Sequence, residues 1–294
     1  MLTGVVDAQS VVVGGKVYIG GGEADGSDYK VLEYTVQGGQ WREIKTPVKF
    51  FGMAATDGQL IITGGKDKED KVTNQVWVLD SLSDTWIQPF PPLPAVRSWT
   101  SAVSYKKWVL VIGGKEDFDE NDLSKNDPCP ELYILDSASK VWYTASPLPW
   151  RVYRPSLTVM QDTLYVVGGT NAVSISIPAL ISDAVSQHPA SDTTTDTSDG
   201  PKPTEWQPLP RTPTFHPVLV TFHETLLTVG AEDEPSSTIA MYCPQTEQWL
   251  TVVQLPTPHR ACTCVTLPDT GEMMVIGGID GDINFIKTID LCTL

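Results

Sequence analysis

A short apolar run that stops at glycine recurs six times along the 294 residues. The runs are KVYIGGG, QLIITGGK, WVLVIGGK, TLYVVGGT, TLLTVGAE and EMMVIGGI, in which the pairs begin at Gly21, Gly64, Gly113, Gly168, Gly230 and Gly277. Successive separations are 43, 49, 55, 62 and 47 residues. A period of roughly 45 residues with loop insertions marks a repeat architecture, and it outranks any single motif.

Each unit has the same interior. An apolar strand such as SAVSY or SLTVM is followed by a tight polar turn, the glycine-terminated strand, a loop and a third strand such as QVWVLD or ELYILD. A turn then leads to a tryptophan (Trp41, Trp86, Trp142, Trp206 or Trp249) and a fourth strand, usually ending in LP. Four short antiparallel strands per repeat describe a propeller blade. The glycines are expected where the chain turns beside a neighbouring backbone, because glycine reaches positive φ and has no side chain to collide. A phosphate-binding glycine loop would need a helix N-terminus after it, and strands follow here. The tryptophans are expected to fill the space between blades.

The spacing from the glycine pair to Tyr34 and Trp41, and VLDSLSDTW and ILDSASKVW with Asp80 and Asp136, resemble the kelch repeat across essentially the whole chain. Ala231 in place of a second glycine, Cys243 in the aspartate slot and the missing aspartate near Trp206 depart from that pattern. The resemblance implies a six-bladed all-β propeller of four-stranded antiparallel blades, one domain over residues 1–294, acting in protein interaction. It further implies roles such as substrate receptor of a ubiquitin ligase or cytoskeletal binder; the domains that usually accompany the ligase role are not in this sequence. The last unit reaches FIKTIDLCTL without a tryptophan, so its fourth strand is expected from MLTGVV, poorly paired, or to be absent. The Ser/Thr/Asp/Pro-rich stretch 181–204 is expected to be disordered, after a third strand in AVSISIP.

A net charge of −16 disfavours nucleic acid and anionic membrane as partners. No apolar run reaches the ~20 residues of a membrane span. Five cysteines without a C-x-x-C, no visible signal sequence and no N-x-[ST] sequon lead us to expect free thiols and a cytoplasmic setting.

Strand alternation puts the blade-to-blade linkers and the loops between second and third strands on one face. The linkers supply Lys49, Phe50, Phe51, Arg97, Trp99, Trp150, Arg151, Tyr153, Arg154, Arg211, Phe215, His216, His259 and Arg260 near the axis. The loops supply acids, including Glu23, Asp25, Asp70, Glu116 and Glu232. Arginines and large aromatics anchor interfaces, and arginine forks pair carboxylates. The expectation is an arginine- and aromatic-rich hub binding a protein segment, acidic or carboxylate-bearing, through Lys49, Phe51, Arg97, Trp99, Trp150, Arg151, Tyr153, Arg154, Phe215, His216 and Arg260. The competing reading is an enzyme acting on a carbohydrate or other small acid, with Arg97, Arg151, Arg154 and Arg260 on a carboxylate and His216 or His259 as acid/base. No cofactor or metal site is expected. DFDEND lacks the glycine and terminal glutamate of a calcium loop, HETLL has Leu227 where a zinc helix needs histidine, and Cys262 with Cys264 reads as core.

Overall fold

The computed structural model describes residues 3–26, 29–116, 127–187, 204–280, 282, 284–287 and 289–292. Blade 1 comprises Gln9–Val13, Lys16–Gly20, Lys30–Thr35 and Gln40–Lys45. Blade 2 comprises Gly52–Thr56, Gln59–Thr63, Val76–Asp80 and Thr85–Ile87. Blade 3 holds Ser101–Tyr105, Trp108–Ile112, Leu132–Asp136 and Val141–Ala145. Blade 4 holds Ser156–Met160, Thr163–Gly168, Asn171–Ser176 and Gln207–Leu209. Blade 5 is built from Val218–Phe222, Thr225–Val229, Ser236–Cys243 and Gln248–His259. Blade 6 has three described strands, Thr263–Thr266, Met273–Ile276 and Ile289–Cys292. Every sheet is ordered as in the sequence, and the first strands touch one another in a closed ring round the axis. This is a six-bladed β-propeller.

The glycine pairs sit where backbone meets backbone. A Cβ at Gly21 would overlap the carbonyl oxygen of Phe51 in the next linker; Gly64 meets that of Arg97 in the same way. At Gly113 the Val152 oxygen lies 2.7 Å from the site a Cβ would take, and Gly277 closes the round against Val5. Gly64 also has φ of 66°. The aspartates after the third strands have a local task. Asp80 accepts the amide of Leu82, and Asp136 those of Ala138 and Ser139, so each carboxylate fixes the turn into the fourth strand.

The tryptophans join blades by packing and by one repeated hydrogen bond. The indole N–H of Trp86 donates to Lys45 O (2.8 Å), Trp142 to Pro91 O (2.9 Å), Trp206 to Pro147 O (2.7 Å) and Trp249 to Pro210 O (3.0 Å). In each case the acceptor lies at or just beyond the end of the preceding blade's fourth strand. Trp41 follows a blade with three described strands, and it leans on Tyr34 at 4.7 Å.

Closure differs from strand exchange. Val5–Val6 does not join blade 6; it pairs with Glu23–Ala24 of blade 1. The same linker-to-loop pairing occurs as single bridges at Lys49/Lys66, Ser98/Lys115 and Arg260/Ile279. Residues 3–7 therefore act as a sixth linker, and the last blade has no fourth strand among the described residues. The ring is tied there by Gly278 N–H to Val5 O (2.6 Å), Asp7 N–H to Ala261 O (2.9 Å) and Ser10 Oγ to Cys264 O (2.9 Å).

Helix α1, Ile177–Ser186, takes up the first six residues of the stretch expected to be disordered. Pro178 starts it, and Ile177, Leu180 and Ala184 recur at helical spacing and are buried against blade 3. A two-residue alternation running straight into a proline hid that change of period. Residues 188–203 of the stretch lie outside the described residues.

Glu33 is buried between two cations, Lys16 (2.8 Å) and Arg42 (2.7 Å), and Arg42 crosses to Asp84 of blade 2 (2.6 Å). Burial pushes its carboxyl up, but bonds from Arg42, Lys16 and Tyr18 outweigh it and hold the pKa at about 2. A depressed folded-state pKa stabilises above the unfolded value and loses that contribution as pH falls towards the folded one. Thermal unfolding measured from pH 5 to about 2 should show a falling melting temperature, and Glu33→Gln should flatten that limb. Gly64→Ala should cost about 2 kcal/mol or more in urea unfolding, from carbonyl overlap and left-handed backbone together.

Candidate functional site

Six linkers converge on the axis, and each carries one residue with left-handed backbone two positions before its first strand. These are Asp7 (φ 55°), Phe50 (57°), Trp99 (59°), Arg154 (54°), His216 (47°) and Ala261 (56°). Left-handed backbone in a residue other than glycine costs about 1–2 kcal/mol, so six equivalent instances mark an imposed geometry. Backbone bonds supply part of the imposition: Trp99 N–H to Phe50 O (2.7 Å), Arg154 N–H to Trp99 O (2.9 Å) and Asp7 N–H to Ala261 O (2.9 Å).

This register decides which linker side chains reach the mouth. The residue after each left-handed position turns inward, so Phe51, Thr100, Pro155, Pro217 and Cys262 are buried. Two positions before it, Val5, Val48, Arg97, Val152 and His259 are buried as well. Phe51 is fully buried in the core between blades 1 and 2, and Arg97 is 3% exposed. Arg97 bonds Tyr133 Oη (3.1 Å) and pairs with Glu131 (3.0 Å). Neither presents a surface to a partner, a correction to the sequence reading. His259 is enclosed too, between Gly277 O (2.8 Å) and Asp290 (3.0 Å), and does not converge with His216.

Below the mouth lies a cavity of about 130 Å³ lined by first strands and by Asp7, Trp99, Arg154, His216 and Glu232. Gln9 reaches across it, donating to Thr100 O (2.8 Å) and accepting from Met53 N (3.2 Å) and Ala102 N (3.1 Å). Arg154 sits at the centre. Its guanidinium lies over Trp99 at 4.9 Å, pairs with Asp7, and pairs with Glu232 at 2.6 Å. Burial disfavours its charge, but Asp7 and Glu232 outweigh that and raise its pKa. His216 stands 3.4 Å from Glu232; burial keeps its pKa below the usual value.

The chain of contacts continues outward. Phe50 stacks on Trp99 at 3.9 Å, and Lys49 lies over Phe50 while pairing with Asp70 (2.9 Å). Arg260 donates to Glu232 O at 2.5 Å. On the other side a shallow groove is lined by Trp150, Arg151, Tyr153, Gly169, Asn171 and His216. Trp150 also packs into the core of blades 3 and 4. Arg151 is exposed and donates to Pro128 O (3.3 Å), and Tyr153 and Phe215 are 41% and 44% exposed.

Trp99, Arg154 and His216 are thus brought together at the mouth, and Trp150, Arg151, Tyr153 and Phe215 around the groove beside it. The four arginines of the enzymatic reading do not converge on one empty position. Sequence reasoning missed Asp7, Gln9 and Glu232; VVDAQS aligns with the other linkers once its glycine partner is located, and was the available signal. Asp117, Asp119 and Asn121 of the acidic loop lie outside the described residues. Among the described residues, no group of three or more His, Cys, Asp and Glu could hold a metal ion, and no helix is long and apolar enough to cross a membrane.

Residues 7–176 match the KLHDC2/KLHL20/DRC7 Kelch-repeats domain. The chain belongs to the kelch-repeat family. It is 22% identical over 241 residues to Kelch-like protein 40 of Xenopus laevis, covering 79% of this chain and 35% of that protein. It is 24% identical over 190 residues to Kelch domain-containing protein 3 of Homo sapiens, covering 56% of this chain and 48% of the relative. Against Kelch-like protein 40 the chain spans about a third of the relative's length. The solved structure titled "Structure of YjhT" superposes with a TM-score of 0.74 over 99% of this chain and 95% of the other, at 14% identity, a likeness of fold.

Arg154→Met would leave two half-buried carboxylates unpaired, and should cost roughly 2 kcal/mol in urea unfolding. Arg151→Ala, at the exposed end of the same face, should stay within about 0.5 kcal/mol of wild type.

Proposed function

We propose that this propeller is a non-catalytic protein-interaction module that holds an extended partner segment on the linker face, in the groove beside the axial mouth. The observation that carries this reading is the exposure of Tyr153 and Phe215 around Trp150, Arg151 and His216. Large aromatics held on rigid backbone supply contact area at little entropic cost, and a neighbouring arginine supplies direction.

The expected preference for an acidic segment narrows. Arg154 and Lys49 already carry carboxylate partners, and Arg97 is buried. Arg151 is the cation on this groove whose described bond goes to a carbonyl, so the partner offers one carboxylate there, flanked by apolar side chains, rather than an acidic run. The kelch-like relatives support protein binding as the role. Five free thiols, three of them buried, agree with a reducing, cytoplasmic setting.

Affinity capture from cell extract, with the bound proteins quantified by mass spectrometry, tests the groove. The triple variant Arg151→Ala, Tyr153→Ala, Phe215→Ala should keep the wild-type melting temperature and lose the wild-type set of captured proteins. Retention of that whole set by the folded variant would sink the proposal.

A further inference from the structure

Blade 5 exposes an apolar face that its counterparts cover. A groove of about 510 Å³ is lined by Phe222, Thr225, Leu227, Met241, Val252 and Val253. By strand register Leu227 corresponds to Tyr18 of blade 1, Ile61 of blade 2, Leu110 of blade 3 and Tyr165 of blade 4. In those blades the same face belongs to the cores that contain Trp86, Trp142, Trp206 and Trp249 of the following blade. Blade 6 should cover blade 5 with a fourth-strand tryptophan, and its described strands carry none.

Two further features lie at the same place. The third strand of blade 6, Ile289–Cys292, has its outer edge open, and Leu291 is 59% exposed. Trp41, on the other side of blade 6, is the tryptophan whose preceding blade lacks the strand that supplies a carbonyl to the other four. A missing strand thus leaves an unpaired edge, an unfilled aromatic socket and an indole without its usual acceptor. Open edges recruit strands, and main-chain pairing with side-chain pockets is a general mode of peptide recognition.

We infer that blade 6 is a second binding site, separate from the axial groove, that takes a tryptophan-bearing β-strand from another polypeptide. The strand pairs antiparallel with Ile289–Cys292. Its tryptophan enters the groove of Phe222, Leu227, Met241 and Val253 and donates to a carbonyl near the end of blade 5's fourth strand. A carbonyl further along the added strand accepts the N–H of Trp41, as Pro147 O does for Trp206. The occupant is defined by four internal copies of the same interface, so its chemistry is an extended segment with tryptophan near its start and Leu-Pro near its end.

A synthetic peptide with the sequence of residues 139–149, SKVWYTASPLP, is the probe. Titrated calorimetrically into the 294-residue chain, it should bind saturably, and the peptide carrying Trp142→Ala should bind on the order of tenfold more weakly or not at all. Hydrogen exchange should slow at Ile289–Cys292 and not at the axial groove. Val253→Asp in the protein should abolish binding; Val253 is 37% exposed, so the fold should survive, as circular dichroism would verify. Absence of saturable binding, equal binding of the two peptides, or binding indifferent to Val253→Asp would each overturn the inference. So would sedimentation showing a dimer that the peptide cannot compete with, which would assign the edge to a second copy of this chain.

Discussion

Everything in this propeller hangs on a carbonyl oxygen set against a glycine with no room for a Cβ. The second strand of a blade can end beside the next blade's incoming linker because Gly21, Gly64 and Gly113 have nothing to collide there. That approach fixes the angle and spacing between neighbours, and it brings the linkers to the axis. The tryptophans then act at the other radius. Each spans outward between blades and bonds the end of the preceding blade's fourth strand, so a blade is held near its inner edge by backbone and near its outer edge by an indole.

With linker backbones held this way, the linkers adopt one conformation with different side chains in it. The left-handed residue presents itself to the mouth, while the position after it and that two before it are driven into the core. The electrostatics follow from that sorting. Arg97 is a core residue answered by Glu131 and Tyr133, whereas Arg154 is a mouth residue answered by Asp7 and Glu232. Charge at the mouth is largely neutralised from within, which leaves aromatic surface as the dominant feature of the adjoining groove.

The architecture was legible in the sequence because its determinants are local and repeated. Six glycine-terminated strands and five tryptophans give blade number, strand order and axis without any knowledge of long-range contacts. The candidate site was legible only as a set of segments. Linker residues were correctly assigned to one face, but single residues could not be sorted into inward and outward, since that depends on a backbone conformation no residue type announces. Phe51 and Arg97 were misplaced for this reason, and Asp7 and Gln9 were overlooked because an opening segment looked like a strand. Helix α1 went unseen where alternating VSISI gives way to PALISDAV over a single residue.

The six left-handed positions hold aspartate, phenylalanine, tryptophan, arginine, histidine and alanine, with scarcely any chemistry in common. Their main chain is clamped by its own neighbours, so presentation and identity are uncoupled. The mouth behaves as a dial of six letters: Phe50 or Ala261 can be rewritten with the frame left standing. Arg154 is the letter that cannot be changed alone, since Asp7 and Glu232 are spelled to match it.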